Sequence, residues 1–333
     1  MPEATEQELE ESLTVDRLGI DLGYRLLPLV DPGKHGGQLD HVRAVRNQFA
    51  QQVGIVIPPI RVRDDARLDP NEYRILLNGH EIARGEVRAG HYLAMDPGGV
   101  GDDAADIGGT PTVEPAFGLP ARWITENLRA RAELAGYTVI DAPSVLVTHL
   151  SESLRSVCGE LLTRDDVKAL LDNLRRTAPA IVDELVPGRL TLGQVQNVLA
   201  RLLQEQVPVR DLQSILEALS DRADESKDSR ALTEAARTAV SRSILSPHTD
   251  ADGTLYAAVV DPQLEKALAD AVQGQGGVEG LPPGFLARFV DETAQALAAL
   301  ARQGRNPVLL TRASLRPFLA EAVAGVVPNA AVL

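Results

Sequence analysis

The sequence predicts a mixed α/β chain of several domains. An α+β domain carries a small inserted domain, a helical domain follows, and a C-terminal α/β domain ends the chain. Three observations lead there. Asn78-Gly79 lies between the alternating runs Tyr73–Leu77 and Glu81–Val87, the strongest short hairpin signal a sequence can carry. From 160 to 245 apolar residues recur at helical spacing behind threonine caps. After Leu255 strand and helix patterns alternate, which suits some parallel pairing. At 333 residues the chain is too long for one ordinary domain.

Residues 1–14 are acidic, with neither cap nor breaker, and read as a linker or a short helix. A strand follows Gly19 within 15–31, and His35-Gly36-Gly37 makes a turn. Leu39, Val42, Val45, Phe49 and Val53 share one face of a helix that Gly54 ends. Ile60–Arg63 is a short strand, the Asn78-Gly79 hairpin comes next, and Tyr92–Met95 is the last strand of this set. The α+β domain therefore spans 15–96 and resumes over 142–160, around an insertion at 97–141.

The insertion opens with a Gly- and Asp-rich excursion over 97–110. The run TVEPAFGLPARWI (112–124) concentrates Glu114, Pro115, Phe117, Pro120 and Trp123. Two prolines fix φ and remove donors, so the part before Trp123 should be a stiff, extended surface run. A helix from about Thr125 to Ala135 and a strand from Tyr137 complete the insertion, and a helix begins near Ser144.

The helical domain covers 161–245. Thr163 with Asp166 and Thr191 with Gln194 have capping-box spacing. Val167, Leu170, Leu171 and Leu174 form one stripe, and Val195, Val198, Leu199 and Leu202 another. A third helix starts at Pro208 with Leu212, Ile215, Leu216 and Leu219 inward. Such stripes mean core burial first. Residues 221–230 read as a charged linker. Over 246–333 the order is a strand at Leu255–Val260, a helix from Pro262, a Gly-rich loop, a helix to Gln303, a strand at Pro307–Thr311, a helix from Ala313 and a terminal strand fragment.

Composition excludes several function classes. A net charge of −14 argues against a nucleic-acid-binding surface or an anionic-lipid surface. The single Cys158 excludes an internal disulfide framework and suits a reducing compartment. No window approaches the apolar length of a membrane span.

The residues also lack a catalytic or metal-binding constellation. The acidic pairs Asp64-Asp65 and Asp102-Asp103 fall where neighbours point apart. The six histidines include no HxxxH pair, so no metal and no cofactor is expected. The glycine clusters at 98–101 and 274–277 lack phosphate-loop or dinucleotide context. Cys158 lies too far along a helix from His149 to share a proton with it. His149 reads as structural and Cys158 as a small buried apolar residue. A non-catalytic docking platform is thus favoured over an enzyme of unknown type.

Longer stretches carry a resemblance. DLGYRLLPLVD (21–31), LDPNEYRILLNGHEIARGE (68–86), GHYLAMDPG (90–98), ELVPGRLTLGQVQNVLARLLQEQVPVRDLQSILEAL (184–219) and NPVLLTRASLRPFLA (306–320), together with EPAFGL and GYTVIDAPSVLVTHL, are similar to the type III export-gate (FHIPEP) family. The EPAFGL match resembles the flagellar branch rather than the virulence branch, which remains the alternative. The resemblance implies a cytosolic portion at the bacterial inner membrane. It implies a membrane domain upstream and further strand residues after Leu333. It also implies a homo-oligomeric ring of nine, contacts with other export-apparatus components, and docking of flagellar export chaperones with bound substrates. It places a chaperone-binding dimple on Glu114, Phe117 and Thr148, with Pro115, Gly118 and Leu119 at its rim. Relatives usually have Asp where this chain has Glu114. Taken alone, Phe117 would be a core aromatic.

Overall fold

The computed structural model describes residues 15–29, 38–96, 107–273, 283–327 and 329–333. The expectations for 1–14, for His35-Gly36-Gly37 and for the Gly-rich parts of 97–106 and 274–282 lie outside these residues. The chain divides into two compact units, 1–182 with 191–212 and 183–190 with 213–333. The helical stretch expected as one domain over 161–245 is therefore shared between them.

In the first unit, β1 (Leu18–Leu22) begins one residue before Gly19, and a 3-10 turn over Tyr24–Leu29 replaces the rest of the expected strand. Helix α1 (Gln38–Gln52) buries Val45 and Phe49. Gly54 follows it at φ 91°, where a Cβ would lie 2.6 Å from the backbone nitrogen of Arg210. A side chain is excluded there on both counts.

Strands β2 (Ile60–Asp64), β3 (Glu72–Leu77) and β4 (His80–Glu86) join β1 in the order β2-β1-β3-β4. The β3–β4 hairpin turns on Asn78 at φ 50° and Gly79 at φ 80°, the twist-matched type I′ turn that this dipeptide favours. A bulge at Ile75/Leu76 shifts the pairing by one residue, so that Tyr73 faces Gly85.

Strand β5 (Tyr92–Met95) corrects the expected boundary at 96. It pairs with β7 (Pro120–Ile124) on one side and β8 (Thr138–Asp141) on the other, in a second sheet ordered β6-β7-β5-β8, with β6 over Thr110–Val113. Leu93 and Ala94 are consecutive and both fully buried, which requires cover on both faces of the strand. Ala94, Ile107, Ile124 and Ala132 form the core between this sheet and helix α2 (Glu126–Leu134).

Helix α3 (Ala142–Ser156) starts two residues before Ser144. Asp141 caps it, and Pro143 occupies the first turn, where its missing N–H costs nothing. The short α4 (Cys158–Leu161) leads to α5 (Arg164–Leu174), whose capping box at Thr163 and Asp166 is complete. Helix α6 (Pro179–Glu184) crosses the boundary between the units. Helix α7 (Leu192–Gln204) has the second capping box and buries Val195, Val198, Leu199 and Leu202.

Helix α8 (Leu212–Ala223) starts at Leu212 rather than Pro208, because Gln206 at φ 58° and Pro208 lie in a connection after α7. Helix α9 (Ser229–Ala239) is capped by Asp228, so the charged linker shrinks to 224–228. After α10 (Ser241–Leu245), the second unit runs β9 (Ala258–Val259), α11 (Pro262–Gln273), α12 (Phe285–Arg302), β10 (Val308–Leu310), α13 (Arg316–Ala324) and β11 (Ala331–Val332). All three of these strands pair in parallel, in the order β11-β10-β9. Both β9 and α13 are shorter than expected. The buried guanidinium of Arg316 is held by Glu234 of α9, with Nε 2.7 Å from its carboxylate.

Candidate functional site

The residues singled out around Phe117 do not form an extended run. They form the closed end of the β6–β7 hairpin. Glu114 N–H donates to the Leu119 carbonyl at 2.8 Å, and Gly118 N–H donates to the Glu114 carbonyl at 3.0 Å. Gly118 sits at φ 70°, which permits the reversal. The Glu114 side chain turns back into the loop. Its Oε1 accepts from Ala116 N–H at 2.9 Å and its Oε2 from Phe117 N–H at 2.6 Å. One carboxylate thus satisfies two loop donors with charge-assisted bonds.

This arrangement sorts the expected residues by exposure. Glu114 is 1 % exposed and sits beneath the turn rather than at a rim. Phe117 is 57 % exposed, which excludes a core role. Gly118 and Leu119 are exposed beside it, and Pro115 is half-buried. Val113 at the end of β6 is also exposed, and its sequence context gave no sign of this. The turn therefore presents Val113, Phe117 and Leu119 to solvent while its only carboxylate faces inward.

The first unit also holds a buried polar pair. The hydroxyl of Tyr73 on β3 is 2.7 Å from Nδ1 of His149 on α3, and the rings meet edge to face at 5.7 Å. Tyr73 is fully buried and His149 nearly so. Burial pushes the Tyr73 phenol above its usual range, and the Glu114 charge adds to this. Burial lowers the His149 imidazolium, and Glu114 partly opposes it. Thr148 precedes His149 on α3 and is half-buried, turned about 100° around the helix from the buried ring.

Gly85 makes room for this pair. A Cβ at Gly85 would stand 2.5 Å from the Tyr73 hydroxyl. Sequence spacing concealed the pair, since Tyr73 and His149 are 76 residues apart. The visible sign was a glycine in a strand, which often marks close approach of another group.

Nucleophilic chemistry finds no support at Cys158. It is buried, and desolvation pushes its thiol up to about 12. Among the described residues no group of three or more His, Cys, Asp or Glu could hold a metal. The second unit has a polar recess lined by His248, Asp250, Tyr256 and Arg305, among others. Its charges are already engaged: Arg305 pairs with Asp250 and stacks 3.9 Å over Tyr256. No helix among the described residues is long and apolar enough to cross a membrane.

The FHIPEP family model matches residues 1–333. The chain belongs to the FHIPEP family. Over 318 residues it is 38 % identical to the flagellar biosynthesis protein FlhA of Escherichia coli strain K12, covering 96 % of this chain and 45 % of that protein. It thus spans about half the length of the curated relatives it matches. Among solved structures, the Chlamydia pneumoniae CdsV protein superposes with a TM-score of 0.80 at 25 % identity, covering 99 % of this chain and 94 % of that one. The nonameric EPEC SctV-C, at 21 % identity, shares the fold with a TM-score of 0.71 over 96 % of this chain and 94 % of that one. The mixed α/β architecture expected from the sequence is that of these solved structures. Identity is higher to the flagellar protein than to either of them.

Proposed function

We propose that this FHIPEP chain is the cytosolic docking platform of a flagellar type III export gate, without catalytic activity, at the cytoplasmic face of the bacterial inner membrane. It receives export chaperones with their bound substrates and orders their export. Copies assemble into a homo-oligomeric ring, as the nonameric relative does, and the ring meets other export-apparatus components. The observation that carries the docking role is the β6–β7 turn. Its backbone is locked by a buried carboxylate, and its Val113, Phe117 and Leu119 side chains are left in water. A rigid turn showing an aromatic anchor suits a partner with an apolar helix face, because few side chains there need ordering on binding. Pro115 and Gly118 shape the turn. Thr148 on α3 is assigned to the same docking site by the family resemblance.

The test pairs thermal melting with calorimetric titration by the cognate chaperone–substrate complex. Phe117→Ala should weaken binding by about 2 kcal/mol, roughly 30-fold. Its stability should stay within about 0.5 kcal/mol of wild type, as for an exposed side chain. Thr148→Met should block the same complex sterically. A Phe117→Ala variant that binds like wild type would refute the assignment.

A further inference from the structure

The phase of the β6–β7 ladder is set at its closed end. Glu114 N–H donates to the Leu119 carbonyl at 2.8 Å, so these residues form a hydrogen-bonded pair. In an antiparallel ladder such pairs alternate with non-bonded ones. The register then makes Thr112 opposite Ala121 and Thr110 opposite Trp123 bonded pairs, and Val113 opposite Pro120 and Pro111 opposite Arg122 non-bonded pairs. Both prolines thus stand where these two strands need no donor. The backbone groups of Pro111 and Val113 point the other way, to the outer edge of β6. Among the described residues that edge is open, because the four-stranded sheet ends at β6. It offers one donor, Val113 N–H, and two acceptors, the Pro111 and Val113 carbonyls.

Two other edges are blunted. Strand β2 presents Arg61, Arg63 and Asp64 to solvent, and at β11 the Arg237 side chain of α9 donates to the Val332 carbonyl at 3.3 Å. Charge and cover of this kind discourage strand addition. Strand β6 has no charged side chain, and its Thr110, Pro111 and Val113 are exposed. The first charge after it, Glu114, is buried and folded back into the turn. Pro111 guards one end of the edge. The Val113 end leads directly into the turn that shows Phe117 and Leu119 to solvent.

We propose that β6 takes up an extended segment of the export chaperone as a fifth, antiparallel strand, next to the helix docked on Phe117. The occupant rests on the docking function proposed above; the open edge does not. The incoming residue opposite Val113 exchanges two bonds with it, and a residue two positions along donates to the Pro111 carbonyl. Neither of these residues can be proline, and an apolar side chain opposite Val113 completes the cross-strand pair. A second copy of β6 fits less well. Centred on Val113, Pro111 would meet the other copy's Pro115, and neither has an N–H. Shifted to set Pro111 against Val113, each copy supplies one bond. Self-pairing therefore reaches two bonds where a foreign strand reaches three.

Hydrogen exchange and calorimetry on the 333-residue chain test this, with the cognate chaperone alone and with its substrate. In the free chain Val113 N–H should exchange faster than Thr112 N–H, which faces β7. Bound chaperone should slow Val113 N–H by about tenfold or more. Val113→Ala keeps the donor and loses the side chain, whereas Val113→Pro loses the donor. Val113→Pro should bind the chaperone about tenfold more weakly than Val113→Ala. Equal binding by the two variants, or Val113 exchange unchanged by bound chaperone, overturns strand addition and leaves the docking role intact. The exchange result decides alone if Val113→Pro does not fold. Protection that needs the substrate overturns the chaperone as occupant. No chaperone binding by wild type overturns the docking role and the occupant together, and Pro111→Val then judges the edge. Restoring that donor lets two copies exchange four bonds, so Pro111→Val should self-associate in sedimentation, and adding Val113→Pro should reverse it. A Pro111→Val chain no more associated than wild type shows that the edge is not open.

Discussion

Two hairpins in the first unit close by different means. The β3–β4 hairpin turns on Asn78 and Gly79, whose positive φ angles provide the reversal from the backbone alone. The β6–β7 hairpin needs its own Glu114 carboxylate, buried beneath the loop, to satisfy Ala116 and Phe117. The first kind of turn is local and self-sufficient. The second depends on keeping one charged side chain buried and folded back into its own loop. The turn built the second way is the one that displays an aromatic to solvent.

Removing the side chain that distinguishes the two should have the largest effect. Glu114→Ala strips two loop donors of a charged acceptor and should cost about 3 kcal/mol in urea unfolding. Glu114→Gln keeps one acceptor oxygen and should lose about half of that. Glu114→Lys would bury an unpaired ammonium in its place and should be worse than either. A Glu114→Ala protein as stable as wild type would show that the loop holds itself, as the Asn78-Gly79 turn does.

The buried Tyr73–His149 pair comes next. Gly85→Ala would place a methyl 2.5 Å from the Tyr73 hydroxyl and 2.7 Å from its Cζ. The ring is tethered to His149 and cannot simply swing away. Overpacking of this kind should cost about 2 kcal/mol. If urea midpoints show less than about 0.5 kcal/mol, an ordinary surface change, the ring has room that the geometry denies it.

The self-sufficient turn should be more tolerant. Asn78→Ala puts a residue without a local hydrogen-bonding side chain at φ 50° and should cost about 1 kcal/mol. Asn78→Gly should be near neutral, and neither change should alter chaperone binding. If Asn78→Ala did weaken binding, the two hairpins would be coupled rather than independent.

These contrasts track what could be read from the residues. Asn78-Gly79, both capping boxes and the apolar stripes of α7 and α8 were legible because each depends on neighbours within a few residues. The parallel sheet of the second unit was legible from alternation. Assignment of β5 to the second sheet was harder, because pairing partners are chosen by register and burial rather than by proximity in sequence. Prolines flanking Phe117 pointed to a stiff, extended run. The inward fold of Glu114 was invisible, since the same letter on a surface loop would face water. The exposure of Phe117 came from the flanking prolines together with the family resemblance, against its own chemistry, which argues for burial. The Tyr73–His149 pair depends on a one-residue bulge that no local pattern announced.

The smallest expected effect is a shallow acid limb in stability, and its sign follows from burial. The folded-state pKa of His149 is lowered from 6.5, so the unfolded chain binds its proton first as pH falls. The contribution of neutral His149 is fully present above about 6.5, the unfolded value. It is lost as pH drops from there through the lower folded value, and it levels off beyond. His248 in the second unit is shifted in the same direction by burial, so the wild-type curve contains both. His149→Gln isolates one of them. Urea midpoints measured from pH 8 to pH 5 should fall less steeply for the variant than for wild type. A wild-type-minus-variant difference that stays constant across that range would mean that His149 does not titrate differently on folding.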